Sequence, residues 1–222
     1  MQHRRQAPPL PATLFGGAQL FFVAATVTRQ TVHEAEQLAR QVDASRLPMQ
    51  VVRTARLHQP PADVRVRWMQ VHRAPDRVPR LLECLRATAD DEPATMIFCN
   101  SIDACRFVQH TLAEHGWDSA ACHGGLPPPR RRLEFERFVS GTTSRMVCTD
   151  VAARGLDLRF LRRVICFDAP RSLSEYLHRI GRLRDGGECV VLLRPAARDQ
   201  ALAESVRQQR RVGERARQVA TR

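Results

Sequence analysis

The sequence predicts an α/β fold, a mostly parallel sheet with helices on both faces. Three observations predict it. Short, continuous apolar runs such as Met96-Ile-Phe-Cys99, Met146-Val-Cys148 and Cys189-Val-Val-Leu-Leu193 have the length and β-branched content of strands buried on both sides. Between them lie stretches with apolar residues at helical spacing, so strand and helix signals alternate along the chain. Several runs also end in small or polar residues, as Thr149-Asp150 follows Cys148, and a loop then begins at the carboxyl end of a strand.

Taken in order, residues 19–26 (Gln-Leu-Phe-Phe-Val-Ala-Ala-Thr) form a β-prone run, and Thr28 or Thr31 then caps a helix over 32–42. Residues 46–63 contain Pro48, Pro60 and Pro61 and read as a linker. From 64 the alternation becomes regular. A strand over 64–72 leads to a helix over 77–87, with Val78, Leu81, Leu82 and Leu85 on one face. A buried strand over 95–99 leads to a helix over 102–115, with Ile102, Cys105, Val108 and Leu112 inward. The next strand covers 118–122 and the next helix 129–139. Strands over 145–148 and 164–167 follow, then a helix over 172–182, a strand over 188–193 and a helix over 198–211. The last turn of that helix runs into Arg210-Arg-Val-Gly-Glu-Arg-Ala-Arg217, which reads as a basic, solvated or frayed end.

Composition sets limits. The chain has 222 residues and a formal net charge of +12, the balance expected of a nucleic-acid partner, although a coding bias toward arginine accounts for the same number. Every basic residue is arginine and there is no lysine, so a GxxxxGK[ST] phosphate-binding loop is excluded within these residues. The 7 cysteines show no CxxC spacing and read as reduced core thiols of an intracellular protein. Cys122 and His123 are adjacent, a poor chelate, and no metal site is expected. No apolar run approaches the ~20 residues that span a bilayer. Asp90-Asp-Glu92 follows a helix end rather than an apolar strand, which makes it an acidic loop and not a metal-binding carboxylate pair.

The residues that carry chemistry gather after the strands. Asn100 and Ser101 follow the strand over 95–99, and Ser101 also suits the N-cap of the next helix. His123-Gly-Gly-Leu126 lets backbone approach a ligand near a helix start, or is a tight turn that requires glycine. Asp150 and Arg154 either pair with each other or touch ligand, and Asp168 helps organise the same edge. In Tyr176-Leu-His-Arg-Ile-Gly-Arg182 one helical turn collects His178, Arg179 and Arg182, a cationic cluster suited to phosphate.

Cys148-Thr-Asp-Val-Ala-Ala-Arg-Gly-Leu-Asp157 and His178-Arg-Ile-Gly-Arg182, in this order and at this separation, resemble motifs V and VI of the DEAD-box ATP-dependent RNA helicases. Ile97-Phe-Cys-Asn-Ser101 is similar to motif IV, and Ala24-Ala-Thr26 sits where that family carries Ser-Ala-Thr. The resemblance implies a RecA-like, three-layer domain of the P-loop NTPase superfamily. It implies 1–45 as the end of a first RecA-like domain, 46–63 as linker, 64–205 as the helicase C-terminal domain and 206–222 as tail. It also implies roles. Thr149, Gly124, Arg131 and Asn100 would meet the RNA phosphate backbone. Asp157 and Arg182 would meet ATP, and His178, Arg179, Arg182 and Arg184 would form the catalytic group. Ala25 and Thr26 would couple the two domains, with Mg held by the first.

Departures from the family pattern are specific. Pro128 stands where the family has the Gln of QxxR, and Asp185 stands where it has the second arginine finger, with Arg184 one residue early. The expected activity is therefore RNA binding by this chain and ATP hydrolysis only together with a first domain. The alternative is a degenerate helicase domain that binds RNA or a partner protein without ATPase activity. A DNA-directed helicase is a lesser rival, and a nuclease or transferase finds no carboxylate cluster to support it.

Overall fold

The computed structural model describes Phe22 and residues 29–42, 63–86, 92–150, 158–183 and 186–220, with side chains over 31–40 in the first helix and up to 211 in the last. The chain divides into two units, Met1–His58 and Gln59–Arg222. In the first, α1 spans Arg29–Val42, with Ala35 and Ala39 buried. Thr31 lies inside this helix and is not its cap; Thr28 and the run 19–26, apart from Phe22, lie outside the described residues.

In the second unit, β1 (Arg65–Gln70) is followed by a 3-10 turn at Ala74–Asp76 and α2 (Arg77–Arg86). Then come β2 (Thr95–Cys99), α3 (Ile102–Glu114), β3 (Ala120–Cys122), α4 (Pro128–Val139) and β4 (Arg145–Thr149). The unit closes with β5 (Arg163–Cys166), α5 (Leu173–Ile180), β6 (Glu188–Leu193) and α6 (Ala197–Ala220). The strands form one six-stranded sheet in the order β1-β6-β5-β2-β4-β3, and every pairing is parallel.

Alternation along the strands builds two cores. Met96 and Phe98 face one side with Cys148, Cys166 and Val191, where Phe138 of α4, Tyr176 and Ile180 of α5, and Leu202 and Val206 of α6 cover them. Ile97 and Cys99 face the other side with Val147, Ile165 and Val190, under Leu81 and Leu85 of α2 and Val108 and Leu112 of α3. This α/β/α sandwich is the architecture expected of strands that are apolar on both faces. All 7 cysteines are buried free thiols, and burial pushes the Cys84 thiol up to about 11.

Several element ends differ from expectation, most by one or two residues. β3 begins at Ala120, because Asp118 is turned to an ion pair with Arg137 (2.6 Å) and its carbonyl accepts from Thr143 Oγ1 (3.1 Å). α6 continues to Ala220 instead of stopping at 211. The start of the basic stretch is anchored: the Arg210 guanidinium donates to the Val64 carbonyl, one turn after Val206, which is 1% exposed.

Among the described residues, a few buried polar atoms have no hydrogen-bond partner, one of them inside the core. The Tyr176 hydroxyl is fully buried without a hydrogen bond, while its ring stacks on Trp68 at 5.9 Å. Tyr176→Phe keeps the stack and removes an unsatisfied polar group. It is expected to raise stability by about 1 kcal/mol in chemical denaturation. A loss of stability would show that the hydroxyl is satisfied in solution.

Candidate nucleic-acid interface

Because all strands are parallel, their carboxyl ends share one rim. The register brings Cys99 opposite Thr149, Phe98 opposite Cys166 and Cys122 opposite Cys148. The residues that follow (Asn100, Thr149 and Asp150, Phe167 and Asp168, His123 and Gly124) therefore stand along one edge, from the central strands β5, β2 and β4 out to the end strand β3. This is where open parallel sheets bind ligands.

Arg179 ties this rim together. It lies on the buried stripe of α5 with Tyr176 and Ile180, and it is 1% exposed. Its Nε and Nη2 donate to the two oxygens of Asp150, both at 2.7 Å. Nη1 donates to the Asp168 carbonyl (2.7 Å) and Nη2 also to Asn100 Oδ1 (2.6 Å), with the guanidinium 5.3 Å from the centre of the Phe98 ring. One side chain thus joins the ends of β2, β4 and β5. Burial works against its charge, but the Asp150 carboxylate more than offsets this and holds the guanidinium protonated well above its ordinary range.

This corrects two expectations. Arg179 is not part of a phosphate-facing cluster, because its donors point inward to Asp150, Asp168 and Asn100. Asn100, expected to meet RNA, uses its side chain within the rim: Nδ2 donates to the Ala169 carbonyl (3.0 Å) and Oδ1 accepts from Arg179. Asp150 is paired with Arg179, whereas Arg154 lies outside the described residues. The helical spacing Tyr176, Arg179, Ile180, Leu183 already marked Arg179 as an inward position.

A second layer of contacts fixes the same edge. Asp168 accepts from the Asn100 backbone N–H (2.9 Å) and pairs with Arg77, which also donates to the Phe167 carbonyl (2.5 Å) and lies over the Phe167 ring at 4.0 Å. Arg171 donates to the Asn100 carbonyl (2.8 Å). The sequence does not single out Arg77 or Arg171, because their partners, Asp168 for Arg77 and Asn100 for Arg171, are far away along the chain and leave no local signal.

The remaining candidates range from exposed to buried. Ser101 caps α3, its hydroxyl accepting from the Ala104 N–H at 3.1 Å. Thr149 is half-buried at the end of β4. A Cβ at Gly124 would meet open space, so its backbone is accessible; one at Gly125 would come within 3.1 Å of Ile102, so that glycine serves packing. Pro127 stands at the N-cap of α4 and provides no side-chain cap, while Arg131 is half-buried one turn in. His123 is 2% exposed, its Nδ1 has no partner, and burial together with nearby Arg106 holds its pKa below the usual range. A hydroxyl and open backbone at strand ends, with a guanidinium one turn into the helix that follows, suit phosphodiester oxygens without reading bases.

His178 and Arg182 lie at the end of α5, both half-buried, and Arg182 Nε donates to the His178 carbonyl at 3.2 Å. Gly181 between them is required by space: a Cβ there would be 2.8 Å from the Leu177 carbonyl oxygen. Asp157, Arg184, Ala25 and Thr26 lie outside the described residues. Among the described residues no group of His, Cys, Asp and Glu is placed to hold a metal ion, and no helix is long and apolar enough to cross a membrane.

A parallel α/β/α sandwich with a polar carboxyl rim defines the class, and comparison with known proteins defines the family. Residues 76–186 match the helicase conserved C-terminal domain. The chain belongs to this family, and it is a DEAD-box C-terminal RecA-like domain. It is 31% identical over 201 residues to DEAD-box ATP-dependent RNA helicase 39 of Arabidopsis thaliana, covering 89% of this chain and 31% of the relative. It is 38% identical over 112 residues to ATP-dependent RNA helicase DBP2 of Saccharomyces cerevisiae, covering 50% of this chain and 20% of the relative. The chain thus spans about a third or less of the length of these relatives.

Among solved structures, the DEAD-box protein SrmB of E. coli, bound to regulator of ribonuclease activity A, superposes with a TM-score of 0.57 at 27% identity over 64% of this chain and 84% of that one. Dbp5 of S. cerevisiae bound to RNA and ADP BeF3 gives a TM-score of 0.70 over 84% of this chain and 47% of that one. At 18% identity this likeness concerns the fold alone.

Proposed function

We propose that this chain is one jaw of an ATP-driven RNA clamp: its rim grips the RNA backbone, and the end of α5 faces ATP held by a preceding RecA-like domain. In this reading 64–205 is the helicase C-terminal domain, 46–63 the linker and 1–45 the end of the preceding domain. The observation that carries it is the single carboxyl rim on which Thr149, Gly124 and Arg131 stand beside the end of α5. Thr149 and the Gly124 backbone contact phosphate oxygens, and Arg131 adds charge. Arg179, Asn100, Asp150 and Asp168 hold the strand ends that present them, so they are positioning residues.

Toward the nucleotide, the chain's own groups fit only part of ATP. His178 and Arg182 stand at the end of α5, and Asp157 and Arg184 follow by resemblance to the family as ribose and phosphate contacts. ATP supplies the free energy that closes the two jaws, with its Mg held by the preceding domain. In phosphoryl transfer an arginine of this kind stabilises charge spreading over the transferring group and is worth on the order of 10³-fold or more in rate.

A second reading, an RNA- or protein-binding module without ATPase activity, is favoured by Pro128 and Asp185 at positions where the family carries Gln and Arg. Purified 1–222 is expected to bind oligouridylate weakly, with an affinity that falls steeply with salt, and to release phosphate from ATP at the buffer rate with or without RNA. RNA-stimulated turnover by this chain alone would overturn the first reading. Joining it to a first domain that carries a GxxxxGK[ST] loop separates the two: RNA-dependent turnover supports the jaw, and its absence supports the module.

A further inference from the structure

The amino ends of the strands form the opposite edge of the sheet, about 20 Å from the rim for strands of this length. Backbone bonds gather three arginines there. Arg65 N–H donates to the Gly187 carbonyl (2.9 Å) and Glu188 N–H to the Arg162 carbonyl (2.9 Å), while the Arg210 guanidinium caps the Val64 carbonyl. α6 starts at the rim and runs back to this edge, so Arg207 and Arg211, about 6 Å apart along the helix axis, flank Arg210. Arg65, Arg162, Arg207 and Arg211 are exposed. α6 then continues to Ala220, about 15 Å beyond Arg210, and its sequence adds Arg215 and Arg217.

The acids at this edge do not balance them. Glu188 is held by Arg67 (3.3 Å) and Arg163 (3.2 Å), and Glu204 lies 3.7 Å from Arg207. Farther along the same edge Glu92 pairs with Arg145 (2.5 Å) and Asp118 with Arg137 (2.6 Å), and beside the arginines Asp63 is an exposed acid among the described residues. Phe160, two residues before Arg162, is 37% exposed, but its ring packs on Phe138 at 5.4 Å and offers only part of an apolar anchor of the kind that centres protein interfaces. Exposed guanidinium groups without a full anchor of that kind fit phosphate, which accepts their paired donors.

We propose that this amino edge is a second nucleic-acid site, which takes the sugar-phosphate backbone of RNA flanking the segment held at the rim. It rests on the reading of the chain as an RNA-binding domain, but it uses none of the rim residues.

The test compares the full chain with an Arg162→Gln/Arg207→Gln/Arg211→Gln variant, using fluorescence anisotropy across a salt series. The probes are oligouridylates of about five and about twenty nucleotides, the shorter filling the rim alone. With the long RNA, the slope of log affinity against log salt is expected to flatten by about 2, at ~0.7 per lost contact, and low-salt affinity to fall about tenfold or more. With the short RNA the variant is expected to match the parent. An unchanged slope, or an equal loss on both lengths, overturns the second site. Polyglutamate binding to the parent as tightly as the long RNA, and lost in the variant, overturns it in favour of an acidic protein. Failure of the short RNA to bind the parent at all counts against the rim reading alone, since the slope with long RNA still reports on the amino edge.

Discussion

Arg179→Ala is expected to lower the unfolding free energy by about 3–5 kcal/mol, because it leaves the Asp150 carboxylate at the rim without its counter-charge. Asp150 is only 21% exposed at its side chain, so water replaces the lost partner poorly. The Asp168 carbonyl and Asn100 Oδ1 lose their donors in the same step. Domains of this size have ~5–15 kcal/mol in total, so a large share of the stability is at stake. Arg179→Lys keeps the charge but not the planar fork and is expected to recover less than half of the loss. Urea denaturation followed by circular dichroism measures both. A change below about 1 kcal/mol for the alanine variant would mean that the rim holds its shape without this clamp.

Phe98→Ala is the second large effect. Phe98 is 1% exposed on a central strand, and its ring lies under the Arg179 guanidinium. Truncation opens a cavity in the core beneath α5 and removes the aromatic face, for an expected loss of about 3–5 kcal/mol. Phe98→Leu keeps most of the volume and is expected to lose about 1–2 kcal/mol. The two sites touch, so the double variant Phe98→Ala/Arg179→Ala should lose less than the two single losses added together. Additive losses would show that the ring and the guanidinium stabilise the rim independently.

Much of the fold was legible because strands buried on both faces leave short apolar runs that few other elements produce. β2 and β6 match the expected 95–99 and 188–193, and the Ser101 cap follows from its place between an apolar run and a helical pattern. β3 was misjudged at its start because nothing local says that Asp118 pairs with Arg137, a partner on the next helix. The end of α6 falls beyond the expected 211 because the residues after it include good helix formers (Glu, Arg, Gln, Ala) without the apolar stripe that marks a helix. At the rim, residue types announced the edge but not its internal wiring. Arg179 reads as a phosphate ligand when its charge is considered and as a core residue when its helical position is. The second consideration prevails because Asp150 compensates the charge. The placement of Arg77 against Asp168 depends on strand order, which no neighbouring residues encode.

The distribution of the thiols has a practical consequence. Cys84, Cys99, Cys105, Cys122, Cys148, Cys166 and Cys189 place one sulfur in each of α2, β2, α3, β3, β4, β5 and β6, all shielded from solvent. An alkylating reagent can therefore reach each site only when that element opens. Mass spectrometry of a labelling time course would then rank the elements by their opening free energies, with no engineered label and no change to the polypeptide.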